Sequence, residues 1–201
     1  MIGGAALLAF VPVAALLTIT PGTDTMLVLR TAGLGDRRAA WLAALGIALG
    51  CLAWGGAVAF GLGALLVASP TAFAWLRIVG AAYLGWVGIG MIVRVRHAAK
   101  PHQSAAGTAF RRGLLTNLLN PKVGVFYLTL LPQFLPPGTH DAGAGLTLAG
   151  VHVALTLVWF AALIGFARTL TPVMAKPAFA RWIDRVCGVV FIGFGARLAL
   201  R

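Results

Sequence analysis

Long apolar stretches alternate with short polar segments along the whole chain. A helix that crosses a bilayer needs about 20 mostly apolar residues. The pattern therefore predicts an all-α polytopic membrane protein with six transmembrane helices. We call them spans 1 to 6 and place them at about 5–29, 41–66, 71–93, 112–134, 145–168 and 179–200. Ser69-Pro70 separates spans 2 and 3 within an uncharged stretch that is too long for one span.

Two spans contain helix breakers and polar or charged residues at membrane depth. These residues are Thr20, Pro21, Gly22 and Asp24 in span 1, and Asn117, Asn120, Pro121 and Lys122 in span 4. Proline removes a backbone donor from a helix, and a central charge costs about 2.5 to 3.5 kcal/mol on insertion scales. A bilayer tolerates such a break only where it faces protein or a watery cavity. We therefore predict that spans 1 and 4 are proline-broken helices that line a binding site.

The residue types at the breaks suit a zwitterionic ligand. Asp24 is expected to attract an ammonium group or to carry a proton, and Lys122 to bind a carboxylate. Unwinding around Pro121 would bring Asn117 and Asn120 into the same site. In the alternative hypothesis, Asp24 and Lys122 form a buried salt bridge that braces the two broken helices, and substrate binds elsewhere.

Thr20 and His152 complete the set of candidate site residues. Thr20 lies four residues before Asp24 and would share its face in an unbroken helix. His152 is a histidine inside the apolar span 5, where it is a candidate proton relay. A histidine that is simply hydrogen-bonded to a neighbouring helix is the structural alternative.

A repeat relates the two halves of the chain. The segment Arg77 to Trp86 in span 3 matches Arg185 to Phe194 in span 6, and Pro21 corresponds to Pro121. Each unit crosses the membrane three times, which is an odd number. The second copy of the unit therefore begins on the opposite side of the membrane from the first. We therefore predict two inverted three-helix repeats. They lie at about 1–95 and 112–201, with a cytoplasmic loop at about 94–111.

The composition excludes an ordinary soluble domain. Of the 201 residues, 60% are hydrophobic and 10% are charged, whereas soluble domains average about 45–50% and 25%. Six spans at about 20 to 25 residues each use most of the chain. We therefore predict a single transmembrane transporter domain over residues 1–201.

The net charge of +12 comes from basic residues that are concentrated in alternate loops. They are Arg30, Arg37 and Arg38 after span 1, Arg94, Arg96, Lys100, Arg111 and Arg112 after span 3, and Arg168, Lys176, Arg181 and Arg185 after span 5. Basic loops face the cytoplasm, so both termini are predicted to lie outside. A nucleic-acid-binding protein would gather its basic residues along one face or groove, and no nucleic-acid partner is expected.

Several features argue against other classes of protein. Cys51 and Cys187 lie in apolar stretches without metal-ligand spacing, so we expect small core residues, with a disulfide or redox pair as the alternative. The first apolar segment lacks a basic leader and a cleavage-like site, so we expect a retained helix. No nucleophile and base occur at recognisable spacing. We expect no enzymatic activity, no cofactor and no metal site.

Three motifs of this chain form a specific set: Thr20 to Asp24, Gly113 to Lys122, and Phe126 to Phe134. Together they resemble the LysE/RhtB family of bacterial amino-acid exporters, which covers homoserine, threonine and lysine exporters. One departure is Thr23, where the family commonly has a second proline. The resemblance implies efflux of amino acids or close derivatives across the bacterial inner membrane in exchange for protons. The implied partners are an amino-acid substrate, protons and membrane lipids, and a homodimer is left open.

Three other functions are weighed against amino-acid export. Export of a metal cation or other small ion would need several Asp, Glu, His or Cys ligands, and we find only Asp24 and His152 inside. A membrane thiol or redox carrier would need paired cysteines at the breaks, which contain none. A purely structural membrane subunit would not explain why Asp24 and Lys122 are kept in lipid.

Overall fold

The computed structural model describes residues 3–62, 69–93, 106–135, 142–174 and 176–200, and these residues are helical apart from short connections. The helices are α1 (Gly4–Ile19), α2 (Thr23–Gly33), α3 (Arg37–Ala57), α4 (Pro70–Val93), α5 (Ala106–Leu118), α6 (Pro121–Val125), α7 (Ala142–Gly165), α8 (Ala167–Met174) and α9 (Pro177–Ala199). A π-helical turn at Val58–Leu62 extends α3. A π-helical turn at Phe126–Leu130 and a 3₁₀ turn at Leu131–Phe134 extend α6. The prediction of an all-α protein is confirmed for this part of the chain.

Several helices meet the requirements for crossing a bilayer. Over the described ranges, two are long and apolar enough without a break, Arg37–Gly61 and Ala142–Gly165. Two bent pairs qualify if each counts as one span: Gly4–Ile19 with Thr23–Gly33 at 53°, and Thr108–Leu118 with Lys122–Phe134 at 52°. α4 and α9 correspond to spans 3 and 6 and contain 24 and 23 residues.

The bend between α1 and α2 follows from the local backbone chemistry. The regular helix ends at Ile19, and Thr20 has an extended backbone with ψ of 115°. Pro21 has no N–H to continue the ladder, and α2 restarts at Thr23 after Gly22. Asp24 therefore lies in the first turn of α2.

The bend between α5 and α6 has a polar cap. α5 ends at Leu118, and Pro121 is the first residue of α6, the position that best tolerates a missing N–H. Asn120 caps the new helix, because its Oδ1 accepts a hydrogen bond of 3.1 Å from the Lys122 backbone N–H. Lys122 follows in the first turn.

Two helix boundaries differ from the sequence-based prediction. α5 begins at Ala106, within the predicted loop 94–111, whose residues 94–105 lie outside the described ranges. Arg111 belongs to the predicted loop and Arg112 to the start of predicted span 4, and both lie within α5. Long basic side chains are compatible with a helix end, since they can reach the membrane surface. α8 occupies part of the predicted loop between spans 5 and 6, although Pro172 lies inside it.

Packing divides the helices into a site-forming group and a lateral pair. α3 packs closely along α5 and also contacts α7, while α4 packs mainly against α9. A Cβ on Gly46 would lie 2.8 Å from the Leu114 backbone nitrogen, so α3 and α5 are in backbone contact there. Phe10 of α1 packs against Phe126 and Phe134, with ring centroids 6.0 and 5.3 Å away. Helices from both halves thus enclose one interior.

Large hydrophobic side chains are exposed around the outside of the helices. Examples are Leu8, Phe60, Trp86, Val158 and Trp182. A soluble monomer rarely exposes so many large apolar groups. This surface suits contact with lipid.

Candidate functional site

The two helix breaks meet at one cavity inside the bundle. Its volume is about 30 Å³, which is room for about two water molecules. Polar side chains reach it from α2, α3, α6 and α7 and from the residue before α6; they include Asp24, Thr25, Cys51, Asn120, Lys122 and His152. An amino acid is several times larger than a water molecule. The helices around the cavity must therefore separate before such a ligand can occupy it.

Asp24 and Asn117 form a buried hydrogen bond between the two broken helices. Asn117 Nδ2 donates to Asp24 Oδ2 over 2.8 Å, and it also lies 3.4 Å from Cys51 Sγ. Asp24 is 8% exposed and Asn117 is fully buried. Asp24 Oδ1 and Asn117 Oδ1 have no hydrogen-bond partner among the described residues. This part of the site therefore has acceptor capacity left for a ligand, a proton or water.

Gly50 of α3 makes room for the Asn117 side chain. A Cβ at this position would lie 2.9 Å from both Cβ and Cγ of Asn117. Contacts this short do not occur between real side chains, so any larger residue would displace the amide. Gly50 thus helps to set where Asn117 meets Asp24.

The Lys122 ammonium is bound to the end of α1. Its Nζ donates hydrogen bonds of 2.7 Å to the carbonyl oxygens of both Leu17 and Thr20. The C-terminal end of a helix carries a partial negative charge, which favours a cation. Lys122 lines the same cavity as Asp24 and His152. One side chain therefore connects the second broken helix to the first.

His152 of α7 is paired with a tyrosine that the sequence analysis did not single out. Tyr127 Oη and His152 Nδ1 share a hydrogen bond of 2.9 Å, and both side chains are buried. The two rings are stacked at a tilt with centroids 5.5 Å apart. The tautomer of His152 decides which atom is the donor. Tyr127 thus fixes the orientation of the imidazole at the cavity wall.

The structure brings most of the predicted site residues together. Gly22, Asp24, Asn120, Lys122 and His152 line the cavity. Thr20 contributes its backbone carbonyl, while its hydroxyl donates back to the carbonyl of Leu16. Pro21 and Pro121 act through the backbone, since they end one helix and begin another. Asn117 reaches Asp24 from the last full turn of α5.

Three residues near or beyond the site were not predicted. Cys51 is buried, as expected, and has a free thiol, but it also lines the cavity. Tyr127 looked like one more aromatic residue in an apolar stretch. Asp184 of α9 is a further buried carboxylate outside the lining of this cavity. Only the tertiary packing distinguishes Cys51 and Tyr127 from ordinary core residues.

The sequence matches a known protein family. A family model described as LysE type translocator matches residues 15–201. The chain belongs to the LysE family. Membership means that this LysE-family protein is a membrane transport protein.

Its relatives match along almost their whole length. It is 30% identical to the threonine efflux protein of Salmonella typhimurium, over 90% of this chain and 91% of the relative. It is 31% identical to the leucine efflux protein of Enterobacter sp., over 91% and 90%. It is also 29% identical to an uncharacterized membrane protein of Bacillus subtilis, over 96% and 98%. No solved structure matches this LysE-family chain.

Proposed function

We propose that this LysE-family protein exports a small amino acid or amino-acid derivative from the cytoplasm in exchange for protons. The observation that carries the proposal is a cavity between the two broken helices that is lined by Asp24, Lys122, Asn120 and His152. The names of the relatives, which are threonine and leucine efflux proteins, support an amino acid as the substrate.

The paired charges fit both ends of an amino acid. A zwitterion carries an ammonium and a carboxylate, and the cavity wall offers the Asp24 carboxylate and the Lys122 ammonium. On ligand binding, the contacts that Asp24 and Lys122 make within the protein would be replaced by contacts with the substrate. Neither charge would then be left unpaired in a low-dielectric interior. The amides of Asn117 and Asn120 add neutral donors and acceptors.

Export in exchange for protons follows if one side chain can bind either a proton or the substrate ammonium, but not both at the same time. Asp24 is that group in our proposal. As a carboxylate it attracts the substrate ammonium, and as a carboxylic acid it does not. Protonation from the outside would therefore release substrate, and deprotonation towards the cytoplasm would restore the site. The His152–Tyr127 pair is the proposed route or store for that proton.

The proposed architecture is six spans in two inverted repeats, with both termini outside and the chain in the bacterial inner membrane. The similar bends of 53° and 52° in α1–α2 and α5–α6 support a relation between the halves. So does the pairing of α4 with α9, which hold the two copies of the repeated segment. In inverted repeats the broken helices meet near the membrane midplane.

Export of a metal cation is less well supported. Within the described residues, no group of three or more His, Cys, Asp or Glu side chains is placed to hold a metal ion. Lys122 would also repel a divalent cation from the cavity. No observation favours a redox or enzymatic function.

The test is efflux from cells loaded with a panel of labelled amino acids, with and without a proton uncoupler. We expect wild type to export one or a few of them, and the uncoupler to suppress that export. Asp24→Asn keeps the size of the side chain but removes the exchangeable charge, so coupled export should fall to background while membrane insertion is unchanged.

A matched control is Asp36→Asn, because Asp36 caps α3 at the protein surface. This variant should export normally. Uncoupler-resistant export would remove proton exchange from the proposal, and normal export by Asp24→Asn would remove Asp24 from the mechanism. Absence of export for the whole amino-acid panel would contradict the proposed function.

A further inference from the structure

The carbonyl oxygens of Leu17 and Thr20 are two acceptors that the helix break leaves without their usual partners. In a continuous helix, Leu17 O would accept from the N–H of residue 21, but residue 21 is proline and has none. Thr20 O would accept from residue 24, but the extended backbone at Thr20 takes it out of the helical ladder. A helix end that is buried in this way needs other donors.

An ammonium group supplies those donors in this conformation. Lys122 Nζ reaches both carbonyl oxygens over 2.7 Å, although it lies more than 100 residues away in sequence. Lys122 packs beside Gly22, since a Cβ there would lie in ordinary van der Waals contact with Cδ and Nζ of Lys122 at 3.6 Å. The two carbonyls and the negative end of α1 form a cradle for –NH₃⁺.

The position of Lys122 in its own helix is unfavourable. It lies in the first turn of α6, where the helix dipole is positive and favours an anion. Its ammonium is stabilised by α1, across the break. The lysine stem has four flexible carbons, so the head group can leave the cradle without a backbone movement.

We propose that the Leu17–Thr20 carbonyl cradle is a primary-ammonium site, which Lys122 occupies in this conformation. During transport the amino group of the substrate occupies it, beside the Asp24 carboxylate that lines the same cavity. The exchange of one ammonium for another keeps the charge at the end of α1 constant. The displaced Lys122 is then free to bind the substrate carboxylate. This inference rests on the proposed amino-acid export and specifies it: the substrate needs an unmodified primary amino group.

Binding to the empty cradle can be measured without transport. In Lys122→Met, the ammonium is lost and the apolar stem is kept. We expect ethylammonium to raise the Tm of the purified full-length variant by about 2 °C or more, saturably. Wild type should respond much less, because ethylammonium must first displace Lys122 and has no carboxylate for the displaced lysine to bind. Tetramethylammonium, which has no N–H donor, and Na⁺ should not raise the Tm of Lys122→Met.

Lys176→Met is the matched control, because Lys176 is exposed before α9. It should behave as wild type. A response of Lys122→Met to Na⁺ or tetramethylammonium as large as that to ethylammonium would overturn the proposal of a primary-ammonium site. So would the absence of any response in a folded Lys122→Met protein.

The second measurement uses wild-type protein and does not depend on folding of the variant. For each amino acid that the panel identifies as exported, we expect the N-acetyl derivative to be exported at least about 100-fold more slowly, since a polar site rejects a ligand that cannot make its hydrogen bonds. Equal export of the two forms would overturn the inference and leave amino-acid export intact. An ethylammonium response with no export of any amino acid would support the cradle and contradict the proposed function.

Discussion

Asn117 Nδ2 donates a hydrogen bond to Asp24 Oδ2 over 2.8 Å and so joins the two broken helices at the point where each changes direction. Both side chains are buried, and the residues are 93 positions apart in sequence. A buried carboxylate without donors is costly. Asn117 therefore serves the fold by solvating Asp24 and serves the proposed site by orienting it.

Replacement of Asn117 by alanine should destabilise the protein through Asp24. We expect a loss of about 1–3 kcal/mol, because a buried acceptor is left without its donor. In an Asp24→Asn background the same replacement should cost less, since a neutral amide is cheaper to leave unpaired than a carboxylate. Thermal unfolding of the four proteins in detergent measures the coupling.

Thr116→Ala on the same helix is the control for this cycle, and its effect should be the same in both backgrounds. Equal losses for Asn117→Ala with and without the Asp24 charge would show that the hydrogen bond does not stabilise the two helices.

Gly50 and Gly56 make a matched pair on α3. Gly50→Ala should lower both stability and export, because the new methyl group would meet the Asn117 side chain at 2.9 Å and force α3 away from α5. The cost of such overpacking is about 1–3 kcal/mol. A Cβ at Gly56 meets nothing within 4 Å, so Gly56→Ala should be neutral or stabilise the helix by about 0.5–1 kcal/mol. Tm and export of both variants test this, and equal behaviour would exclude close packing at Gly50.

A bend near Pro21 and near Pro121 could be expected from sequence because its cause is local: proline lacks the N–H that continues a helix. The capping of α6 by Asn120 was not predicted, although asparagine is a favourable cap residue. The charges of Asp24 and Lys122 were informative for a similar reason, since a charge in an apolar span is rare and costly and so marks a candidate site before its partner is known.

The partners of these residues could not be predicted in the same way. Lys122 was expected to bind a carboxylate, but its Nζ donates to two backbone carbonyls of α1. Every residue has a backbone carbonyl, so the sequence alone does not mark these two as acceptors. Cys51 reaches the cavity only through the packing of α3, and Tyr127 reaches His152 only through the packing of the π-helical turn after α6. The start of α5 at Ala106 was missed because basic residues suit both a loop and a helix end at the membrane surface.

The hydroxyl of Tyr127 offers a way to test His152 without disturbing the core. Tyr127→Phe removes the hydrogen bond to His152 Nδ1 and keeps the ring that packs against Phe126 and His152. We expect Tm to change little, by the equivalent of about 0.5–1.5 kcal/mol, and uncoupler-sensitive export to fall about tenfold or more. Tyr83→Phe, which changes the chain's other tyrosine, is the control. Full export by Tyr127→Phe would argue that His152 is only a structural residue.

Cys51 should report when the cavity opens. Its side chain is 1% exposed here, so a small neutral methanethiosulfonate can reach the thiol only after the helices around the cavity separate. In a Cys187→Ser background, we expect the reagent to abolish most export, because the added group fills space beside Asn117 and Lys122. Cys51→Ser in the same background should be resistant, and an exported amino acid in excess should slow the inactivation by occupying the cavity.

If inactivation persists without Cys51, or if substrate has no effect on its rate, then Cys51 does not line the path that the substrate takes. Protection by substrate together with resistance of the serine variant would place the moving ligand within reach of Asp24 and Lys122, since both line the same cavity as the thiol. It would also place the ligand near Asn117, whose amide contacts both Asp24 and Cys51.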